Sequence, residues 1–149
     1  MGRNLTKTAT MHFKTMVRSD VPQGRNGKHR QIVATILKDL GLVQEARPLA
    51  ERALAIAEAT YGPDHPTVAI RLSVLAGILR DLGLVAEARP LAERALAIDE
   101  AALGPDHPTV ATLLNVLASI LGDLGLAEEA RPLAERAAAI TEAARQAKA

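Results

Sequence analysis

The chain has 149 residues, a formal net charge of +1, 48% apolar residues, only 1% aromatic residues and no cysteine. This length allows one domain or a short array, and the absence of thiols excludes disulfides and thiolate metal sites while being compatible with a reducing compartment. No apolar run approaches the ~18–20 residues that a membrane span needs. We therefore expect a cytoplasmic protein with no membrane span.

The first 31 residues differ in charge from the rest of the chain. Residues 1–31 hold seven Lys or Arg against one acid, whereas residues 32–149 hold eleven against sixteen. With Pro22, Gly24, Gly27 and little apolar periodicity, this segment is predicted to be a basic, disordered tail. Its first six residues also fit the loose myristoylation pattern, and its lack of acids before Asp20 is typical of transit peptides, so three interpretations stay open.

A helical pattern begins at Ile32 and ends at Asp-Leu-Gly-Leu, residues 39–42. Glycine there can adopt the left-handed conformation that closes a helix, and the following leucine can fold back onto it. The same four residues, Asp-Leu-Gly-Leu, recur at 81–84 and 123–126. Gly41, Gly83 and Gly125 are thus predicted to be structural caps.

The next helix is predicted from about Val43 to Thr60, and Pro48 in its early turns is expected to cause a tolerated bend rather than a break. The linker Gly-Pro-Asp-His-Pro follows at 62–66 and returns at 104–108. Asp64 or His65 can cap the following helix, whose first turn holds Pro66, and Asp106 is the corresponding structural cap in the second linker. Further helices are predicted at about 66–82, 85–103, 108–124 and 127–146.

This pattern is an internal repeat. Residues 39–66 match residues 81–108 at 24 of 28 positions, at an offset of 42, and a decaying third copy runs from Asp123. A period of this length indicates stacked pairs of helices. We number them unit 1 (residues 32–65, partial), unit 2 (66–107) and unit 3 (108–149), and call the two helices of each unit helix A and helix B.

Small and large residues recur at fixed places in the units. They are Leu75-Ala76 and Leu117-Ala118 in helix A, Gly83 between the helices, and Ala88 and Ala95 in helix B. In these residues the chain resembles a tetratricopeptide repeat (TPR) protein. Its 42-residue period, Arg-Ala-Leu-Ala-Ile run and Gly-Pro-Asp-His-Pro linker are similar to the kinesin-light-chain type.

The resemblance implies an all-α, right-handed superhelix, a TPR solenoid of about three antiparallel helix pairs. Alanine replaces the family's large helix B residue at Ala50, Ala92 and Ala134, which implies thinner packing. The resemblance also implies a scaffold for protein binding with no cofactor, whose partner is a peptide segment or a helix of another protein.

Helix A of units 2 and 3 differs mainly along one face. Five of 18 positions differ between residues 67–84 and 109–126, and four of the five lie at i, i+3, i+7 and i+10. At ~100° per residue these positions share a narrow face, which by the resemblance lines a concave groove. We call the following predicted groove residues the stripe: Gln31, Thr35, Lys38, Ser73, Gly77, Arg80, Asn115 and Ser119.

The stripe can be interpreted in two ways. Lys38 and Arg80 could meet an acidic ligand group, and Ser73 and Asn115 could bond its backbone. Alternatively, an exposed face has drifted neutrally. Two further functions stay open: a homotypic assembly unit or fragment of a longer array, and nucleic-acid contact through the basic tail. The lack of aromatic stacking platforms argues against nucleic-acid contact.

Candidate catalytic groups do not converge. His65 and His107 stand 42 residues apart, so each is predicted to lie in its own linker rather than at a shared metal. Arg47 and Glu51 are four apart and indicate a solvated helix pair worth ~0.3 kcal/mol rather than an acid–base dyad. No glycine-rich phosphate loop is present. We expect no catalytic residue, no metal site and no enzyme.

Unit 3 departs from the repeat at its end. Ala138 stands where unit 2 has Leu96, and Arg145 stands where unit 2 has Leu103. This loss of apolar residues is typical of the polar last unit of an array. The first unit shows no such change, so its uncapped N-terminal end is expected to favour self-association.

Overall fold

The computed structural model describes residues 32, 35–37, 39 and 41–149. The predicted tail at 1–31 and two stripe residues, Gln31 and Lys38, lie outside the described residues. Helical residues at 32, 35–37 and 39 come first. Five helices follow: α1 (Val43–Tyr61), α2 (Pro66–Asp81), α3 (Val85–Leu103), α4 (Pro108–Asp123) and α5 (Ala127–Ala147).

Each helix packs on its neighbour in sequence, which confirms the predicted all-α fold of antiparallel pairs. Helices α2 and α3 form unit 2, α4 and α5 form unit 3, and α1 is helix B of unit 1. Contacts are most extensive within these pairs, and α1 also packs on α2 and α3 on α4. A smaller contact joins α2 to α4 directly. Helix A of one unit thus lies against both helices of the unit before it.

The predicted glycine caps close the first helix of each unit. Gly41, Gly83 and Gly125 have φ angles of 76°, 79° and 78°, a region that residues with a Cβ rarely adopt. The amide of Leu84 then donates to the carbonyl oxygen of Leu79 at 2.8 Å, the six-to-one bond of a Schellman motif. This geometry satisfies the last carbonyl groups and turns the chain back into helix B.

The linkers cap the next helix with histidine: of the two candidates Asp64 and His65, the histidine is the N-cap, and the cap expected at Asp106 is His107 instead. His65 is the N-cap of α2, and its Nδ1 accepts from the amide of Thr67 at 3.1 Å. His107 caps α4 in the same way, with 3.2 Å between Nδ1 and the amide of Thr109. The aspartates come one residue earlier in the turn, so the free helix amides face the imidazole.

Pro48 does not break α1, as predicted. The helix runs without interruption from Val43 to Tyr61 with this proline inside it. Pro48, Pro90 and Pro132 all lie on the exposed side of their helices. The missing hydrogen bond therefore leaves a carbonyl group where water can reach it, and the cost stays small.

The core is built from alanine as much as from leucine. Ala46, Ala50 and Ala53 of α1 are all 0% exposed, and Ala88 and Ala92 repeat this in α3. Leucines and isoleucines of helix A fill the space opposite them in a shared cluster. Small side chains on helix B let the next helix A approach closely, which supports the Ala-packed solenoid that the sequence predicts.

Candidate functional site

The stripe residues on α2 and α4 lie on neighbouring helices that touch one another. Ser73 and Gly77 are half-buried on α2, and Ser119 is half-buried on α4, while Asn115 is exposed. Thr35 is exposed in the helical residues that come before α1. The described stripe residues therefore offer small polar groups along adjoining helix A faces.

The one arginine of the described stripe is already paired. Arg80 Nε donates to Oδ2 of Asp123, at the end of the next helix A. This hydrogen bond is the largest cause that raises the pKa of Arg80, opposed by desolvation and supported by the charges of Asp123 and Asp81. Both side chains of the pair are 40% exposed. An acidic ligand group at Arg80 would have to share the guanidinium with Asp123.

An open trough lies beside the stripe in unit 3. Its walls are Asn115, Ser119 and Gly122 of α4 and Ala130, Arg131 and Ala134 of α5, around a volume of about 510 Å³. Asn115 also borders a second depression of about 480 Å³, between Thr112 of α4 and Arg145 of α5. We call the first of these the α4–α5 trough. Of its α4 residues, Asn115 and Ser119 belong to the predicted stripe. The α5 wall was not predicted, although Ala130 and Ala134 repeat the buried Ala88 and Ala92.

The Arg-Pro-Leu-Ala-Glu-Arg run that recurs in each helix B joins successive units through ion pairs. Arg47 pairs with Glu51 at 2.9 Å as predicted, and it also reaches Glu87 of the next unit at 3.5 Å. Arg89 repeats both contacts, with Glu93 at 2.8 Å and Glu129 at 3.2 Å. The sequence indicated only the contacts within one helix.

The second arginine of the run binds the preceding unit. Arg94 Nη1 lies 2.7 Å from Glu58 Oε1, and its Nη2 donates to the carbonyl oxygen of Pro63 at 3.0 Å. Arg136 makes the same two bonds, to Glu100 at 2.5 Å and to the carbonyl oxygen of Pro105 at 2.9 Å. The linker that carries the histidine cap is therefore held by the helix B that follows it.

Two charged residues are buried between units. Asp99 is 2% exposed, and its Oδ1 has no hydrogen-bond partner among the described residues. Burial raises the pKa of this carboxyl group, and the nearby His107 opposes the rise. Arg71 is 7% exposed, and burial lowers its pKa. Unit 1 has Ala57 at the place of Asp99, so this carboxyl group is a peculiarity of unit 2.

The described residues hold neither a metal cluster nor a membrane helix. Nowhere among them do three or more His, Cys, Asp or Glu side chains gather as metal ligands would. None of the described helices combines the length and apolar character needed to cross a bilayer.

Known proteins give a consistent comparison. A family model described as tetratricopeptide repeat matches residues 28–83 and 70–143. The structure is similar to the kinesin-light-chain-like TPR repeats of Podosopora anserina, with a TM-score of 0.72 and 30% identity over 77% of this chain and 55% of that chain. A variant of those repeats with one substitution gives a TM-score of 0.71, 30% identity, and coverage of 77% and 54%.

The chain thus spans about half the length of those two structures, 55% and 54%. BtubC (BKLC) from P. vanneervenii shares the fold, with a TM-score of 0.57 and 15% identity over 96% of this chain and 75% of that one. No curated protein sequence matches this chain.

Proposed function

Because the chain belongs to the tetratricopeptide repeat family, we propose that it is a non-catalytic scaffold whose stripe binds an extended peptide or a helix of another protein. Repeats of this family are, in general, protein-interaction modules and typically carry no catalysis. The finer assignment, to a particular face of helix A, is our own.

One observation carries the assignment: the differences between helix A of unit 2 and helix A of unit 3 are concentrated on a single face. Four of the five differences between the two compared helix A segments fall on that face, whereas residues 39–66 and 81–108 differ at only four of 28 positions. Uniform caps, alanines and ion pairs are accounted for by folding. The stripe needs another explanation, and recognition of a ligand is one that its polar residues suit.

The chemistry of the stripe favours a peptide backbone as ligand. Ser73, Asn115 and Ser119 can each donate and accept hydrogen bonds. Arg80 and Asp123 are both 40% exposed, so their pair offers one charge of each sign to the solvent. No aromatic anchor is present among the described stripe residues, so we expect moderate rather than tight binding.

The test combines Ser73→Ala, Arg80→Ala and Asn115→Ala in one protein. The triple variant is expected to lose the capture of proteins that the wild-type chain binds in a lysate. Its helicity, measured by circular dichroism, is expected to stay unchanged. A matched control replaces Ala97 and Ala101 by serine, since both are exposed on α3 away from the stripe. Equal capture by the stripe variant, the control and the wild type would reject the groove assignment.

A further inference from the structure

The contact between successive units is built twice from equivalent residues. Ala46 and Ala50 of unit 1 share a buried cluster with Leu75 and Ile78 of unit 2. One period later, the same cluster contains two alanines of α3 and two apolar residues of α4, namely Ala88, Ala92, Leu117 and Ile120. At both junctions, two alanines of helix B thus share a buried cluster with an isoleucine of the next helix A.

Each end of the described array carries one half of this contact without the other. Ile36 occupies the place of Ile78 and Ile120, which are 0% exposed, yet Ile36 itself is 40% exposed and Ile32 is 59% exposed. At the other end Ala134 is exposed, although its counterpart Ala92 is 0% exposed. The α4–α5 trough is thus the kind of surface on which the next helix A packs. The side chains of Ile32 and Ile36, which we call the Ile32–Ile36 face, belong to a helix A that has no such trough against it among the described residues.

The charges at the two ends are complementary in the same register. Glu58–Arg94 and Glu100–Arg136 are equivalent ion pairs at successive junctions between units, with N–O distances of 2.7 and 2.5 Å. We call such a row of equivalent pairs a ladder. The next acid of that series is Glu142 on α5, and the arginine that comes before the series is Arg52 on α1. A second ladder consists of Arg47–Glu87 and Arg89–Glu129. Its next arginine is Arg131, which among the described residues has no following unit and pairs only with Glu128, at 3.6 Å.

We propose that the α4–α5 trough binds the Ile32–Ile36 face of a second copy of this chain, head to tail. Glu142 of one copy then pairs with Arg52 of the other, and Arg131 meets Glu45, which stands at the place of Glu87 and Glu129. Gly122 replaces Arg80 at this junction, so the contact to an aspartate seen between units 2 and 3 is absent there.

The arrangement has a defined symmetry. Its two surfaces differ, so the contact is heterologous, and a repeat of the unit-to-unit rotation leaves one free surface at each end of every assembly. Association is therefore open-ended and concentration-dependent, and it extends the solenoid from copy to copy. The trough shares Asn115 and Ser119 with the stripe, whereas Ser73 and Arg80 lie outside it. A variant changed only at Ser73 and Arg80 should therefore lose its ligands and still associate.

Two complementary variants test the contact. Ile36→Glu blocks the entering face and Ala134→Arg blocks the trough, and both residues are solvent-exposed, so the fold should persist. In sedimentation velocity over a wide concentration range, the wild type is expected to form a growing series of oligomers. Each variant alone should stay monomeric, and an equal mixture should form one-to-one dimers and nothing larger, because each variant keeps one intact surface.

The outcomes separate head-to-tail association from other forms. A wild type that is monomeric at every concentration overturns the proposal, and so does a mixture of the variants that fails to form dimers. Loss of association with Ile36→Glu but not with Ala134→Arg would mean that two entering faces meet one another, which also overturns it. Ala97→Arg, on the exposed side of α3, is the control and should behave as the wild type.

A charge exchange tests the register. Arg52→Glu or Glu142→Arg alone should weaken association by up to about fivefold, the equivalent of an exposed ion pair of ~1 kcal/mol, and the two together should restore it. The loss should shrink at high salt. Since Glu142 also pairs with Arg145 within its helix at 2.8 Å, Arg145→Ala is the control and should not weaken association. Failure of the double variant to recover would contradict the register.

Discussion

Arg94 of α3 reaches back to Glu58 of α1 at 2.7 Å, and the same guanidinium donates to the carbonyl oxygen of Pro63 in the intervening linker. Arg136 repeats both contacts one unit later. An arginine that looks like a solvated helix residue is thus a clamp between a helix and the linker that follows it.

Removal of this clamp should destabilise the array. We expect Arg94→Ala to cost about 1 kcal/mol of unfolding free energy, because the two side chains are 38% and 35% exposed and solvent screens the pair. The midpoint of urea unfolding, measured at low protein concentration, reports it. Arg52→Ala is the matched control, since no ion pair joins Arg52 to another described residue. An equal loss in both variants would refute the clamp.

Asp99→Ala should stabilise the protein near neutral pH by about 1–2 kcal/mol, the cost of a buried polar group without a hydrogen bond. Burial raises the pKa of Asp99 in the folded state, so the folded protein holds this proton more tightly than the unfolded chain does. The carboxyl group therefore destabilises the fold increasingly as the pH rises through its raised pKa, and its cost is smallest below the unfolded pKa near 3.9.

Urea unfolding of wild type and variant near neutral pH and near pH 4 measures this difference. The advantage of Asp99→Ala should be greatest near neutral pH and shrink on acidification. Thr141, the unit 3 counterpart, provides a control in Thr141→Ala, which has no carboxyl group to titrate and should show no such pH dependence. If the stability advantage of Asp99→Ala grew on acidification, Asp99 would not have the raised pKa that the prediction assumes.

Gly83→Ala should destabilise the protein by about 1–2 kcal/mol. The φ angle of Gly83 is 79°, and an alanine is strained there although nothing lies within 4 Å of the added Cβ. Gly122→Ala is the control, because Gly122 lies inside α4 and its Cβ would also enter open space. This second change should raise stability by up to ~1 kcal/mol through helix propensity. Thermal unfolding that ranks the two variants in the opposite order would contradict the cap.

His107→Ala should cost about 1 kcal/mol, since it removes the acceptor for the Thr109 amide at the start of α4. His107→Asn keeps an acceptor at the N-cap and should recover most of the loss. His107 is the better position to test because His65 also stacks on Tyr61, with ring centroids 4.7 Å apart. Chemical unfolding of the three proteins measures the effect, and an asparagine variant as unstable as the alanine variant would argue against capping.

Local signals in the sequence predicted most of the fold. The bounds of α3, Val85–Leu103, agree with the prediction at both ends, because Gly83 and Gly104 mark where a helix has to stop. The recurring small residues of that helix, Ala88 and Ala95, are both 0% exposed. These signals depend only on residues that are close in sequence. The chain repeats them in each of its three units, so a single sequence is enough to recognise them.

Other features depend on how one helix pair is rotated against the next. The sequence indicated Arg47–Glu51, which lies within one helix, but not Glu58–Arg94, which joins residues 36 apart. Asp64 and His65 can both cap a helix, and only the backbone of the turn selects the histidine. The burial of Asp99 depends on the unit that follows it, which a helical wheel of α3 alone cannot show. The stripe remains a prediction that its substitution will test.

We expect the clamp at Arg136 to couple the opening of the last two helices. This residue belongs to α5 but anchors the linker ahead of α4 through the carbonyl oxygen of Pro105. If the last helix frays, the hinge before its partner helix is released at the same moment. Amides of α4 and α5 should therefore exchange with deuterium as one foldon, with a shared opening free energy below that of α2 and α3.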